Sequence, residues 1–355
     1  MKQSQRKYDR IVVKIGSSLI FSKQNTLDCG LLSEITAQVS GLLAQGKKIV
    51  LVSSGAIAIG MSILKLESRP KELSYLQAAA AIGQHELMDN YRKFFKQRCV
   101  NCGQVLLTWE DFDERSRYLN AKNTLLTLLK LNTVPVVNEN DTVSTSEIKF
   151  GDNDKLSALV SIMVGADLLI ILSDVDGLLD KDKKVIRVVD KITPALKQLA
   201  CPTDRKICVG GMITKLEAAR ISIDSGIPCI IANGRAKDVI KTCVEKGPEI
   251  GTLFIPKKEG LAAKMRWIAF GTKPKGNIIV DDGARTALKN KKSLLAVGVI
   301  AREGEFVRGD IVSVRDKQGE EIARGKAGVS SEELEKAKGT RFDKEIIHRD
   351  NIVIL

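Results

Sequence analysis

The chain has 355 residues, 44% of them hydrophobic but only 4% aromatic, and its 56 Lys and Arg outnumber its 43 Asp and Glu for a formal net charge of +13. That length predicts two domains around a sizeable core of aliphatic side chains, and the lack of any apolar run behind the charged opening MKQSQRKYDR, or of an ~18-residue apolar stretch elsewhere, predicts a soluble, cytoplasmic protein with no membrane partner. The positive balance suits nucleic acid, a membrane surface or an anionic small molecule, yet it is dispersed: residues 258–355 hold 20 basic against 15 acidic side chains, with no dense basic block.

In chain order, RIVVKIGSSLI (10–20) reads as a short β-branched strand closing on Gly and two Ser. LLSEITAQVSGLLAQ (31–45) has apolar residues at helical spacing. KKIVLVSSGAIAIG (47–60) repeats the first pattern: an apolar strand, small residues, then a helix. Helical patterns follow at 74–98 and 116–131, and GQVLLT (103–108), NTVPVVNEND (132–141), ADLLIILSD (166–174) and GIPCIIANG (226–234) read as further buried strands. Apolar strands without alternation, separated by helices, predict a mainly parallel sheet covered on both faces, a three-layer αβα sandwich. Its ligand site is expected beyond the carboxyl ends of the strands. From about residue 275 short strands, frequent Gly and one short helix at 283–290 predict a small β-rich second domain. The expected boundaries are therefore 8–257, a junction at 258–274, and 275–352.

The composition argues against several chemistries. Two histidines, His85 and His348, make His-based catalysis improbable, and CVNC (Cys99, Cys102) lacks the second close pair that a zinc site needs. Seven cysteines, an odd number, read as free thiols. GLLAQGKK (41–48) nearly matches a P-loop, but Lys48 stands where Ser or Thr should bind magnesium, and helix and strand come in reversed order.

Three other glycine-rich turns suit phosphate better. Lys14 lies inside a buried strand, followed by Gly16 and Ser17; a lysine there is costly unless an anion meets it. Ser54, Gly55 and Ala56 open a helix with free backbone N–H groups. Gly210 and Gly211 precede a helix that carries Lys215 on its first turns. Phosphoryl transfer makes this set intelligible, because that reaction needs positioning and charge neutralisation more than covalent chemistry. Asp152 or Asp154, in the cluster GDND, can fix the lysines, and Asn153 offers both donors and an acceptor. Ordinary structural roles compete with each assignment. The cluster could be a helix N-cap, NEND (138–141) an Asx-rich turn, Lys14 an edge-strand lysine, Lys215 a solvated helix lysine, and Asp174 a turn cap.

VVKIGSS, VLVSSGAIAIG, PVVNENDTV, IKFGDNDKLSALV, LLIILSDVDGL and GGMITKLEAA, in this order over 8–257, resemble the amino acid kinase family, specifically its branch that phosphorylates glutamate. NENDTV followed by GDNDKLSA sets that branch apart from the acetylglutamate, aspartate and uridylate kinases of the same fold. The tail resembles the PUA domain that many of these kinases carry. The resemblance implies ATP and Mg²⁺ as cofactors, L-glutamate as acceptor, and an acyl phosphate product that starts proline synthesis. It implies that Lys14 and Lys215 stabilise the phosphoryl group and that Asp154 orients them, with no metal ligand assigned directly. Ser54, Gly55, Ala56, Asn138, Asp141, Asp152 and Asn153 would line the glutamate site. Lys14, Gly16, Ser17, Ser173, Asp174 and the loop Val209, Gly210, Gly211, Met212, Ile213, Thr214, Lys215 would hold the nucleotide. A homodimer or tetramer is implied by family alone. Val209 stands where the family usually has Thr, and the span 180–209 is short. A family kinase acting on a phosphorylated acceptor is a rival, but it should need Arg or Lys in the acceptor pocket, where these motifs supply Asn and Asp. RNA binding through the tail is the rival from another class; that tail lacks strong basicity and aromatic stacking clusters.

Overall fold

The computed structural model describes residues 8–21, 27–143, 152–200, 211–256, 265, 268, 269 and 274–354, excepting the side chains of residues 152 and 197. It divides into two compact units, 1–260 and 261–355.

The first unit runs β1 (Arg10–Ile15), α1 (Ser17–Ile20), α2 (Cys29–Ala44), β2 (Lys48–Ser53), α3 (Ala56–Ile63), α4 (Leu73–Lys96), β3 (Asn101–Leu107), α5 (Glu110–Asp113), α6 (Arg115–Lys130), β4 (Thr133–Glu139), α7 (Asp152–Val164), β5 (Leu168–Ser173), β6 (Val188–Val189), α8 (Pro194–Leu199), α9 (Met212–Asp224), β7 (Cys229–Asn233), α10 (Val239–Glu245) and β8 (Thr252–Phe254). Eight strands form one sheet in the order β3-β4-β2-β1-β5-β7-β8-β6. All neighbours are parallel except β7 and β8, whose antiparallel pairing the apolar pattern does not reveal.

β1 and β5 show why helices must cover both faces. Every residue of LLIILS (168–173) is buried, and so is all of RIVVKI after Arg10. An uninterrupted apolar strand has no face left for water, so α2 and α4 seal one side and α7 and α9 serve the other. α2 starts where Asp28 caps it, its carboxylate accepting from the Leu31 N–H at 3.0 Å. The core beneath α2 and α4 is largely aliphatic, with Tyr91 and Phe95 among its few rings.

β1 is the pivot of the sheet. The chain runs outward through β2 to β4 and β3, then returns to place β5 on the opposite side of β1. Loops from the carboxyl ends on either side of β1 therefore diverge and leave a crevice above it.

The second unit is a five-stranded sheet of order β10-β9-β11-β12-β13, built from Gly276–Val280 (β9), Val299–Glu303 (β10), Ile311–Arg315 (β11), Glu321–Lys326 (β12) and Ile352–Ile354 (β13). The expected short helix is Asp282–Lys289, capped by Asp281. A second helix, Ser331–Ala337, was not anticipated, although its signal is legible: Ser330 and Glu333 form a capping box. Among the described residues no helix is long and apolar enough to cross a membrane.

Candidate active site

Because β4, β2, β1 and β5 are side by side, the turns after them face one cleft of about 370 Å³. Its centre lies over β1. Lys14 there is 5% exposed and Asp154, on the first turn of α7, only 1%. The Lys14 Nζ is 2.6 Å from Asp154 Oδ1, and the Lys215 Nζ, from the first turn of α9, is 3.5 Å from Oδ2. Thr214 donates its hydroxyl to the same Oδ2 at 2.7 Å. One carboxylate thus stands between two ammonium groups from opposite elements.

The electrostatics follow from burial and these pairings. Desolvation is the largest influence on Lys14 and lowers its pKa; Asp154 opposes that and Lys215 adds to it. Desolvation pushes Asp154 upward, but Lys14, Lys215 and the Thr214 bond together hold it below the ordinary carboxylate value. The net result is a fixed anion and a lysine that surrenders its proton more readily than usual.

On the β5 side are Ser173 and Asp174, with Gly16 and Ser17 at the end of β1 and Gly211 before α9. Burial raises the Asp174 pKa, yet hydrogen bonds from Ser173, its own backbone and Ser18 bring it below normal. Gly55 and Gly211, the N-cap residues of α3 and α9, have φ of +102° and +95°. A side chain would be strained at either; the start of α3 (Ala56 to Ala58) lies against the cleft, and from α9 it is Thr214 and Lys215 that do.

On the β2 and β4 side are Ser54, Gly55, Ala56, Asn138, Asp141 and Asn153. The Asn153 amide nitrogen lies 2.9 Å from Asn138 Oδ1, 3.0 Å from Ser54 Oγ and 3.2 Å from the Ser53 carbonyl. The cleft therefore brings together the residues read from three separate motifs. Met212 and Ile213 lie on the first turn of α9 but not against the cleft. Val209, Gly210 and the side chain of Asp152 lie outside the described residues.

Arg69 corrects one expectation. The motifs of the expected acceptor pocket supply Asn and Asp, yet Arg69, from the loop before α4, lines the same cleft. Desolvation lowers the Arg69 pKa while the Asp141 charge raises it, so the two groups are electrostatic neighbours. The loop KLESRPKEL has no periodic pattern to flag such a residue. Ser18, from the same turn as Gly16 and Ser17, also lines the cleft, and so does Glu139, which the sequence reading does not single out. A larger cavity of about 620 Å³ occurs in the second unit beside Lys291, Lys292, His348 and Arg349, but its lysines are exposed. Among the described residues, no cluster of three or more His, Cys, Asp or Glu could hold a metal ion.

Comparison with known proteins identifies the family. The model of the amino acid kinase family matches residues 9–233, and that of the PUA domain matches residues 276–348. A glutamate 5-kinase of Caldanaerobacter subterraneus subsp. tengcongensis is 45% identical, with 98% of each chain covered. Glutamate 5-kinases of Geobacter metallireducens and Methylococcus capsulatus are each 44% identical, covering 99% and 97% of this chain and 98% and 97% of theirs.

Proposed function

The chain belongs to the amino acid kinase family, within its glutamate 5-kinase branch, and on that premise we propose that its two cleft lysines carry the γ-phosphoryl group of ATP to the side-chain carboxylate of L-glutamate. The product is the acyl phosphate that opens proline synthesis. The observation that supports the mechanism most directly is the bridge Lys14–Asp154–Lys215.

The acceptor carboxylate, with a pKa near ~4.3 in water, is already ionised at neutral pH, so no general base is needed. The barrier lies in bringing two anions together. Lys14 and Lys215 cancel that repulsion, and the N–H groups at the starts of α3 and α9 hold phosphate oxygens. Asp154 is not consumed in the reaction; it keeps both ammonium groups aimed at one point. Mg²⁺ would arrive on the nucleotide phosphates, where such an ion keeps several waters and takes one or two protein carboxylates. Asp174, on the nucleotide side, fits that part, since both oxygens of Asp154 are already engaged.

The strand order supports a division of the cleft into two substrate halves. ATP lies over β5 and α9, and L-glutamate over β2 and β4. An α-amino acid presents one positive and one negative group beside its reactive carboxylate. Asp141 and Arg69 form the matching pair, with Arg69 toward the α-carboxylate and Asp141 with Asn153 toward the α-ammonium. This zwitterion-shaped end, rather than a cluster of cations, separates the reading from a kinase acting on a phosphorylated acceptor.

ATP hydrolysis-coupled assays are expected to show turnover that depends on L-glutamate; turnover indifferent to L-glutamate would overturn the assignment. Arg69→Ala and Asn153→Ala are each expected to raise KM for L-glutamate by roughly tenfold or more, the size of one lost bond to a charged group, with little change in KM for ATP. An unchanged KM for L-glutamate would move the acceptor site elsewhere.

The depressed Lys14 pKa has a kinetic counterpart. kcat/KM for ATP at saturating L-glutamate reports the enzyme before nucleotide binds, free of the acceptor amine's own titration, so its alkaline limb should fall below the ordinary lysine value of ~10.4. Bound phosphates stabilise the ammonium form, so the limb in kcat should lie higher. Coincident limbs at the ordinary lysine value would contradict the burial of Lys14.

A further inference from the structure

We propose that Gln84, on α4 and outside the lining of the cleft, is a positioning residue that turns Asn153 so that its carbonyl oxygen faces the α-ammonium group of the acceptor. The proposal rests on the kinase reading above and names a residue that reading does not use.

The hydrogen-bond chain has a direction that chemistry imposes. The Glu139 backbone N–H can only donate, and it meets Asn138 Oδ1 at 2.9 Å. The other Asn138 atom is therefore its amide nitrogen, which donates to Gln84 Oε1 at 2.8 Å in a buried contact. The Ser53 carbonyl can only accept, and both it and Asn138 Oδ1 lie within 3.2 Å of one Asn153 atom, which must be nitrogen. Asn153 Oδ1 is left buried, without a hydrogen-bond partner among the described residues, at the wall of the acceptor half. A buried acceptor in this state costs stability until a donor arrives, and an α-ammonium group carries three donors.

Gln84 fixes the first amide in that chain. It is 8% exposed, as against 2% for Asn138. Its own Nε2 is buried with no hydrogen-bond partner among the described residues. A glutamine that uses only its oxygen is a poor core residue, since an apolar side chain would leave no orphaned donor. Its place under the cleft is set by its neighbour. A Cβ on Gly83 would lie 1.8 Å from the Ala56 carbonyl oxygen, so α4 can rest directly on the first turn of α3 only with glycine there. Without the Gln84 oxygen, the Asn138 amide nitrogen loses its acceptor, and only the contacts at Asn138 Oδ1 still hold the amide plane. Asn153 then loses its fixed neighbour in turn.

The test compares two ligands and two variants of the full chain. Glutarate has both carboxylates of L-glutamate and lacks the α-ammonium group. Gln84→Met, which removes the accepting oxygen, is expected to raise KM for L-glutamate roughly tenfold, as for one weakened bond to a charged group. kcat and the inhibition constant of glutarate should stay near their starting values. Gln84→Glu presents an oxygen to the Asn138 amide whether ionised or neutral and should restore KM for L-glutamate. KM and the inhibition constant do not depend on how much of a variant preparation is folded, and kcat is read per folded enzyme. Equal weakening of L-glutamate and glutarate, no change in either, or no rescue by Gln84→Glu would overturn the proposal. Failure of the unsubstituted enzyme to turn over L-glutamate would instead overturn the kinase reading.

Discussion

Lys14→Ala and Lys215→Ala are each expected to lower kcat on the order of 10³-fold or more, while leaving the chain folded. Removing a single preorganised donor to a developing anion costs about 10²- to 10³-fold, and removing a cation from a phosphoryl-transfer site about 10³- to 10⁵-fold. On the proposed mechanism both lysines act on one group, so neither can substitute for the other. The two variants should differ in stability. Lys14→Ala removes the closer partner of a carboxylate that is 1% exposed and leaves Oδ1 facing a void. Lys215→Ala removes the longer contact, at 3.5 Å, and Thr214 still donates to the same oxygen. Lys215→Ala is therefore the cleaner test, with a melting temperature closer to that of the parent. Arg is no conservative replacement at either position, because a planar fork cannot converge on a point as two ammonium groups do. A steady-state assay with melting curves checks both; near-normal turnover in either variant would remove the role assigned to that lysine.

The sheet was legible because its strands are apolar on both faces. LLIILS and RIVVKI, short β-branched or aliphatic runs bounded by small residues, fit central strands of a covered sheet, and a lysine embedded in the second of them is conspicuous. β6 and β8, of two and three residues, are too short to carry a period. The direction of β8 depends on its partner rather than on its own residues. The same division holds within the site. Lys14, Asp154 and Lys215 lie in motifs where charge stands out against small or apolar neighbours. Thr214 belongs to the expected nucleotide loop, and its hydroxyl also meets Asp154. No sequence spacing announces that contact, which depends on how α9 faces α7. Arg69 and Gln84 were unread for the same reason: one is a cation in an irregular polar loop, the other a polar residue on an otherwise ordinary helix.

Asp154→Asn is expected to lose both turnover and stability, and the stability loss should shrink as pH rises. The substitution keeps the shape of the side chain and removes the charge that two ammonium groups share. Stranding a buried charge typically costs about 3 to 5 kcal/mol, and Lys14, at 5% exposed, has little access to water as relief. Its escape is to lose its proton. In the parent, burial already lowers the Lys14 pKa and Asp154 is what opposes it. Without that carboxylate, and still beside Lys215, the folded-state value must fall further below the unfolded one of ~10.4. A base with a depressed folded pKa binds its proton more tightly when unfolded, so stability is lowest while both states are protonated and rises with pH through the folded value. The Asp154 contribution in the parent behaves differently: its folded pKa is lowered, so its stabilisation is present above the unfolded carboxylate value and is lost only in acid. Between neutral pH and pH ~9 the parent's carboxylate contribution is thus constant, while the variant recovers part of its loss as Lys14 discharges. Denaturant unfolding of the parent and Asp154→Asn at several pH values reads this directly. A stability gap that stays constant or widens toward alkaline pH would mean that Lys14 is not held charged by Asp154. Recovery of stability must not bring recovery of rate, because the neutral amine that relieves the fold cannot neutralise the phosphoryl group in transit.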